Sequence, residues 1–267
     1  MRTQTFISSM VGAVLVSAGI AHAGFTPYVI RNADQDGGSN PSISTSGANT
    51  TFGIEYKRQK AGFGSNDVNG ITVGQISNMQ FTLNSATPVG TTTPVILPYV
   101  NIWAQDAVSG NYFAIYFGLD AFVTNTGGVK SVNVGTSQMA SVTFGVSETS
   151  AAAGGVAVAG SWLATALGVP GAGTSYTMAQ VANFQIVAPP ASWVASGNSN
   201  GVGGGAPREL GTNTTFGFNW IFGQGGSADN GYNGYDYTVS GASVVPAPGA
   251  LALLGVAGLV GGRRRRA

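Results

Sequence analysis

The side chains in this sequence best placed to do chemistry carry oxygen rather than sulfur or imidazole nitrogen. Asn32-Ala33-Asp34-Gln35-Asp36-Gly37 sets Asn32, Asp34 and Asp36 at alternate positions ahead of a glycine. That is the first half of a calcium loop, in which each side chain turns inward to one hard cation. The twelfth position of such a loop should hold a bidentate Glu, and here it is Ile43. An Asx-rich turn is therefore the better supported reading and calcium the weaker one. A second cluster runs from Asp229 to Tyr237, with Asp229, Asn230, Tyr232, Asn233 and Tyr235 as candidate ligand contacts. Tyrosine faces stack on sugar rings and amides hydrogen-bond to their hydroxyls; the plainer account is a Gly-Asn turn entering a final strand. Apart from calcium, no cofactor is expected.

Acid–base chemistry would have to come from carboxylates. Asp106, Asp120 and Glu148 are candidates for the pair a glycosidase uses, which needs neither His nor Cys. Nothing in their spacing brings two of them together, so no catalytic residue is assigned. The chain has no cysteine, and its one histidine is His22. A domain lacking both cannot use Ser-His-Asp or Cys-His catalysis or build the usual zinc site. A non-catalytic protein is the expectation, a polysaccharide-active enzyme with paired carboxylates the alternative. Runs such as Thr91-Thr92-Thr93 raise ice binding as a lesser reading, without regular Thr spacing along successive coils to support it. Of the four tryptophans, Trp103 and Trp220 lie in strongly apolar strands and are expected in the core.

Charge narrows the partners. Between Gly24 and Pro246 stand six basic residues, Arg31, Lys57, Arg58, Lys60, Lys130 and Arg208, against ten acidic ones. A mildly acidic domain without a basic stripe is not expected to bind nucleic acid.

The two ends carry targeting information. Residues 1–23 have a basic start at Arg2, an uncharged apolar run from Phe6 to Ile20, and Ala21-His22-Ala23. The small-x-small site at Ala21 and Ala23 is what signal peptidase accepts, so this is a signal peptide cleaved after Ala23. Residues 244–267 read Val-Val-Pro-Ala-Pro-Gly, an apolar Gly/Ala/Leu segment, and the cluster Arg263, Arg264, Arg265 and Arg266. From Val244 to Gly262 there are 19 residues without a charge, near the roughly 20 that cross a bilayer as a helix. The transmembrane segment is placed at 249–262, and the arginines hold its far end on the cytoplasmic side.

The order Val-Pro-x-Pro, apolar segment, terminal Arg cluster resembles the bacterial PEP-CTERM sorting signal. What that resemblance implies is recognition by an exosortase, a membrane transpeptidase-like enzyme acting beside the Pro motif in exopolysaccharide-producing bacteria. Pro246 and Pro248 match the motif, and Ala247 stands where the family has Glu. The expected course is export through the inner membrane, a membrane-anchored intermediate, then the cell surface or extracellular matrix, with signal peptidase, exosortase, polysaccharide and membrane as partners. An ordinary carboxy-terminal anchor is the competing account of the same tail.

The elements between the ends are short and β-rich. Strands are expected at Tyr28–Arg31, Thr51–Arg58, Ile71–Leu83, Tyr99–Asp106, Asn111–Gly118, Ala140–Ser147, Asn183–Val187, Thr214–Phe222 and Tyr235–Val245. Residues 107–110 suit a hairpin loop. Thr177-Met178-Ala179-Gln180 fits a capping box for a short helix to about Ala182, and 195–206 is a Gly/Asn/Ser loop. Asn49–Ile54 is echoed by Asn213–Phe218, by coincidence or as two strands with similar packing. The expected fold is a single all-β domain over 24–243, an antiparallel β-sandwich with Gly-rich loops, similar to jelly-roll, concanavalin-like and carbohydrate-binding-module domains. One C-terminal transmembrane helix would follow it.

Overall fold

The computed structural model describes residues 24–31, 39–55, 59–89, 97–126, 129–152, 156–157, 162–169, 175–192, 215–223 and 234–247. Two antiparallel sheets dominate them. The nine-stranded sheet runs in spatial order β1 (Thr26–Arg31), β4 (Lys60–Ser65), β14 (Phe218–Phe222), β6 (Tyr99–Gln105), β7 (Tyr112–Gly118), β10 (Thr143–Ser150), β11 (Val156–Ala157). Short β12 (Tyr176–Thr177) pairs with β10, and β13 (Gln185–Ile186) with β6. The six-stranded sheet runs β2 (Ser42–Ser46), β3 (Asn49–Ile54), β15 (Gly234–Pro246), β5 (Ile76–Val89), β9 (Val129–Gly135), β8 (Val123–Thr126). The expected all-β sandwich is what these residues form.

Period-two alternation builds the core, because successive side chains on a strand point to opposite faces. Phe218, Trp220 and Phe222 of β14 turn inward together with Val100, Ile102 and Ala104 of β6 and Phe113, Ile115 and Phe117 of β7. From the other sheet come Phe52, Ile54, Phe81, Leu83, Tyr235 and Tyr237. Rings meet between the sheets: Phe52 stacks on Phe222 with centroids 4.3 Å apart, and Phe81 meets Trp220 edge-on at 4.9 Å. Each such pair contributes about 1 kcal/mol beyond its buried area. The last strand of each sheet, β14 or β15, sits inside it rather than at its edge. Neither sheet is complete until the end of the domain has paired, which makes for slow, non-local folding.

Several elements differ from expectation. Ile71–Gln75 is not strand: Thr72 and Gln75 form a capping box around the 3-10 turn Val73–Gln75, and the strand starts at Ile76. The segment from Ala140 opens on a helix, α1 (Thr136–Ser141), and its strand starts at Thr143. β4, with the sequence Lys-Ala-Gly-Phe-Gly-Ser, was not expected as a strand because glycine weakens strand signals. The capping box at Thr177 and Gln180 is formed and opens α3 (Met178–Val181). The Ala/Gly-rich stretch from Ser150 to Ser175, whose sequence suits one short helical turn, holds the short helix α2 (Trp162–Leu167). Among the described residues no helix is long and apolar enough to cross a membrane. The signal peptide, the 195–206 loop and the apolar segment 249–262 lie outside the described residues.

Candidate functional site: the outer face of the six-stranded sheet

Most residues singled out in the sequence fall outside the described structure. These are Ala21, Ala23, Asn32, Asp34, Asp36, Asp229, Asn230, Tyr232, Asn233, Pro248 and Arg263 to Arg266. Among the described residues no group of three His, Cys, Asp or Glu side chains could hold a metal ion. Tyr235 is described, and it is not a surface platform: it is 0% exposed and packs against Tyr237 with centroids 5.7 Å apart. Its place in the strand alternation puts it on the core face, while neighbouring Asp236 points out. Pro246 ends β15 opposite Ile76, and the Ala247 N–H donates to the Gln75 carbonyl at 2.6 Å. The sheet thus continues three residues past 243.

Asp106 and Glu148 are spent on local structure, and Asp120 lies exposed far from Asp106. Asp106 opens the β6–β7 hairpin loop, where it accepts from the Ser109 hydroxyl at 2.5 Å and from the N–H groups of Val108 and Ser109 at 3.1 Å. The Ser109 hydroxyl bond, with these N–H bonds, holds its carboxyl below the usual aspartate range. Asp120 follows the opposite end of β7, so a strand of roughly 24 Å separates the two residues. Glu148 is buried and accepts the Leu163 N–H at 3.1 Å, at the start of α2. Burial raises its pKa, against the N–H groups of Leu163 and Trp162, which lower it.

A different surface emerges from the register. The outward positions of the six-stranded sheet are almost all hydroxyls and amides: Ser42 and Ser44 on β2; Asn49 and Thr51 on β3; Thr238 and Ser240 on β15; Asn78, Gln80, Thr82, Asn84 and Thr87 on β5; Ser131 and Asn133 on β9; Thr124 on β8. Pairing sets them in cross-strand rows. Ser44, Thr51 and Thr238 form one row, and Ser240, Thr82, Ser131 and Thr124 another. Among these outward strand positions the one charge is Asp236.

Hydrogen bonds between strands fix several of these side chains. The hydroxyls of Thr51 and Thr238 share one at 3.0 Å. The Asn84 amide donates to Asn49 Oδ1 at 2.9 Å and to Ser240 Oγ at 3.0 Å, and the Asn78 amide donates to Asn133 Oδ1 at 2.7 Å. Such pairs lower the entropy a ligand must remove, because the donors and acceptors are already ordered. The surface can make many neutral hydrogen bonds, and none of the outward positions named here is cationic.

The outer face of the nine-stranded sheet is built otherwise. Tyr28, Ile30, Phe216 and Ile221 form a buried cluster there, with Tyr99 packed against it. The Tyr28 hydroxyl donates to Asn219 Oδ1 at 2.6 Å, and the Asn219 amide donates to the Phe216 carbonyl at 3.0 Å. Burial, with Tyr99 adding to it, holds the Tyr28 pKa well above the usual tyrosine value. Trp103 is fully buried on this side beside Tyr112 and Ala114, and Trp220 in the main core. Tyr116, which is 43% exposed, is the one large aromatic that this face offers among the described residues. The sequence reading missed both Tyr116 and the hydroxyl field; the second was present as alternation but needed the strand order to appear as a surface. No family model matches the sequence, and no curated protein or solved structure matches it.

Proposed function

We propose that this is an exported bacterial envelope protein, sorted through its carboxy-terminal tail, with a non-catalytic structural or adhesive role in an exopolysaccharide matrix. The observation that supports an adhesive role is the ordered, nearly charge-free field of hydroxyls and amides across the six-stranded sheet. Its natural complement is a neutral polysaccharide, whose hydroxyls exchange hydrogen bonds with the field at about 1 kcal/mol each. An anionic polymer would find no cation among those outward positions to pair with, since Lys130 of β9 takes the alternate position opposite Leu83. A crystalline lattice such as ice is a poorer match, because neighbouring strands rotate by roughly 20° and the bulges between β5 and β15 add to the twist. A flexible chain can follow such a surface. The late strands threaded through the middle of both sheets support the jelly-roll, concanavalin-like form of the sandwich.

The tail reading rests on the uncharged segment up to Gly262 followed by four arginines, and on the Pro246-Ala247-Pro248 motif. Cleavage beside that motif would leave β15 whole, since the strand ends at Pro246. Intact mass of the protein from its native host, with and without the exosortase, tests this part. Loss of residues 1–23 together with the segment beyond about Pro246, the latter only when exosortase is present, is the expected result. Arg263 to Arg266 kept in both strains would make the tail a permanent anchor. Adhesion is tested by retention of the mature domain on immobilised glycans: retardation on neutral polymers exceeding that on anionic ones is expected, and no retention on any neutral polymer would overturn it.

A further inference from the structure

Where β15 ends, three short elements close the sandwich: the 3-10 turn Val73–Gln75, α1 and α3. Between them lies a dimple of about 210 Å³, with Val73, Ile76, Met139 and Met178 in its floor and Ala140 and Ala179 on its rim. The chain leaves the fold beside it. Ile76 pairs with Pro246, the Ala247 N–H is held by Gln75 at 2.6 Å, and the Ser77 hydroxyl donates to the Val245 carbonyl at 2.9 Å.

Two further facts bear on what this end faces. No Asp, Glu, Lys or Arg occurs in 71–78, 135–142, 175–192 or 244–247, so these segments, unlike the flanking turns that carry Asp67 and Asp106, can approach an apolar medium without stripping water from an ion. The uncharged stretch from the pinned Ala247 through Gly262 is 16 residues. As a helix it measures about 24 Å, short of the roughly 30 Å hydrocarbon core. Arginines reaching back to the interface make up part of the deficit, and the rest draws the domain down onto the surface.

We propose that this end of the sandwich is a membrane-contact face, seated in the headgroup layer with its apolar dimple against phospholipid acyl chains. The proposal rests on the anchored-tail reading. Methionine side chains, flexible and polarisable, suit a floor that must fit an irregular partner. The contact would hold the hydroxyl field of the six-stranded sheet at the membrane surface until the tail is cut.

The absence of cysteine makes the test simple. An environment-sensitive fluorophore is attached to full-length chain carrying Ala179→Cys, or Ser42→Cys as a control on β2, and the protein is reconstituted into phosphatidylcholine–phosphatidylglycerol vesicles. The expected result is emission shifted to the blue at 179 and quenched by spin-labelled phospholipid, with neither effect at 42. A blue shift at 179 without quenching would mean that the chain's own apolar tail fills the dimple, and would overturn the proposal. Unshifted emission from protein that floats with vesicles would overturn it while leaving the anchor intact. Protein that fails to float would remove the anchored-tail reading and this inference with it.

Discussion

The outer faces of the two sheets begin from the same period-two alternation and end as opposites. On the six-stranded sheet the outward residues are small and polar, and they bond mainly sideways to one another. On the nine-stranded sheet outward glycines leave gaps that aromatic rings fill: Tyr28 lies over Gly62, Phe216 over Gly64 and Tyr116 over Gly145. Removing a side chain there lets a neighbour's ring lie flat on the backbone, and Asn219 is buried beneath the result. One face is therefore part of the fold's stability, and the other is left open to a partner.

Substitutions at matched positions should break this contrast if it is wrong. Asn219→Ala removes the acceptor of the Tyr28 hydroxyl and the donor to the Phe216 carbonyl in a buried site, and should cost about 3 kcal/mol in urea unfolding. Asn84→Ala deletes two hydrogen bonds on the open face, where water replaces them, and should cost about 0.5 kcal/mol. Equal losses would mean that the open face is structural after all.

Glycines give the next contrast. A methyl group at Gly62 would enter the space of the Tyr28 ring, whereas one at Gly53 meets chiefly the Ser42 hydroxyl on an edge strand. Gly62→Ala should cost about 2 kcal/mol and Gly53→Ala less than about 1 kcal/mol, read as shifts in the urea midpoint at constant slope.

The smallest expected effect is on pH dependence. Burial raises the Glu148 pKa, so between the ordinary glutamate range and the raised value the folded state holds the proton that the unfolded state has lost. Stability then falls as pH rises through that window. Asp106 is shifted down and acts with the opposite sign: its contribution is present above the ordinary aspartate range and lost as pH falls through the lowered value. Glu148→Gln should flatten the decline on the higher-pH side, and Asp106→Asn the decline on the acid side, both measured by thermal unfolding across pH. A higher-pH side unchanged by Glu148→Gln would mean that the carboxylate is solvated rather than capping α2.

Strands with strong alternation were legible in the sequence. Tyr99–Asp106, Asn111–Gly118 and Tyr235–Val245 correspond closely to β6, β7 and β15. β4 was not, because its two outward glycines are there for Tyr28 and Phe216, partners 34 and 152 residues away along the chain. Of the two readings left open for the echo between Asn49–Ile54 and Asn213–Phe218, similar packing does not hold: Phe52 points into the core, whereas Phe216 packs on the outer face of the opposite sheet. Spacing along one strand cannot reveal which distant strand will lie beside it. The hydroxyl field was hidden in the same way, as its rows draw on β2, β3, β15, β5, β9 and β8. The final strand at Tyr235 is as the plainer reading had it, and the core-facing side chain was not legible because a turn signature just before a strand says nothing of which face the next residue takes.

The measurement that goes most directly to the assignment of the open face is retention on a neutral polysaccharide of three proteins: the mature domain, a variant with Thr82, Ser131 and Asn133 all replaced by alanine, and Tyr116→Ala. Loss of roughly one to two hydrogen bonds in the triple variant should weaken retention about tenfold, with urea stability nearly unchanged and Tyr116→Ala retained like the parent. Undiminished retention of the triple variant, or its loss in Tyr116→Ala, would place the binding surface on the other sheet and contradict the account.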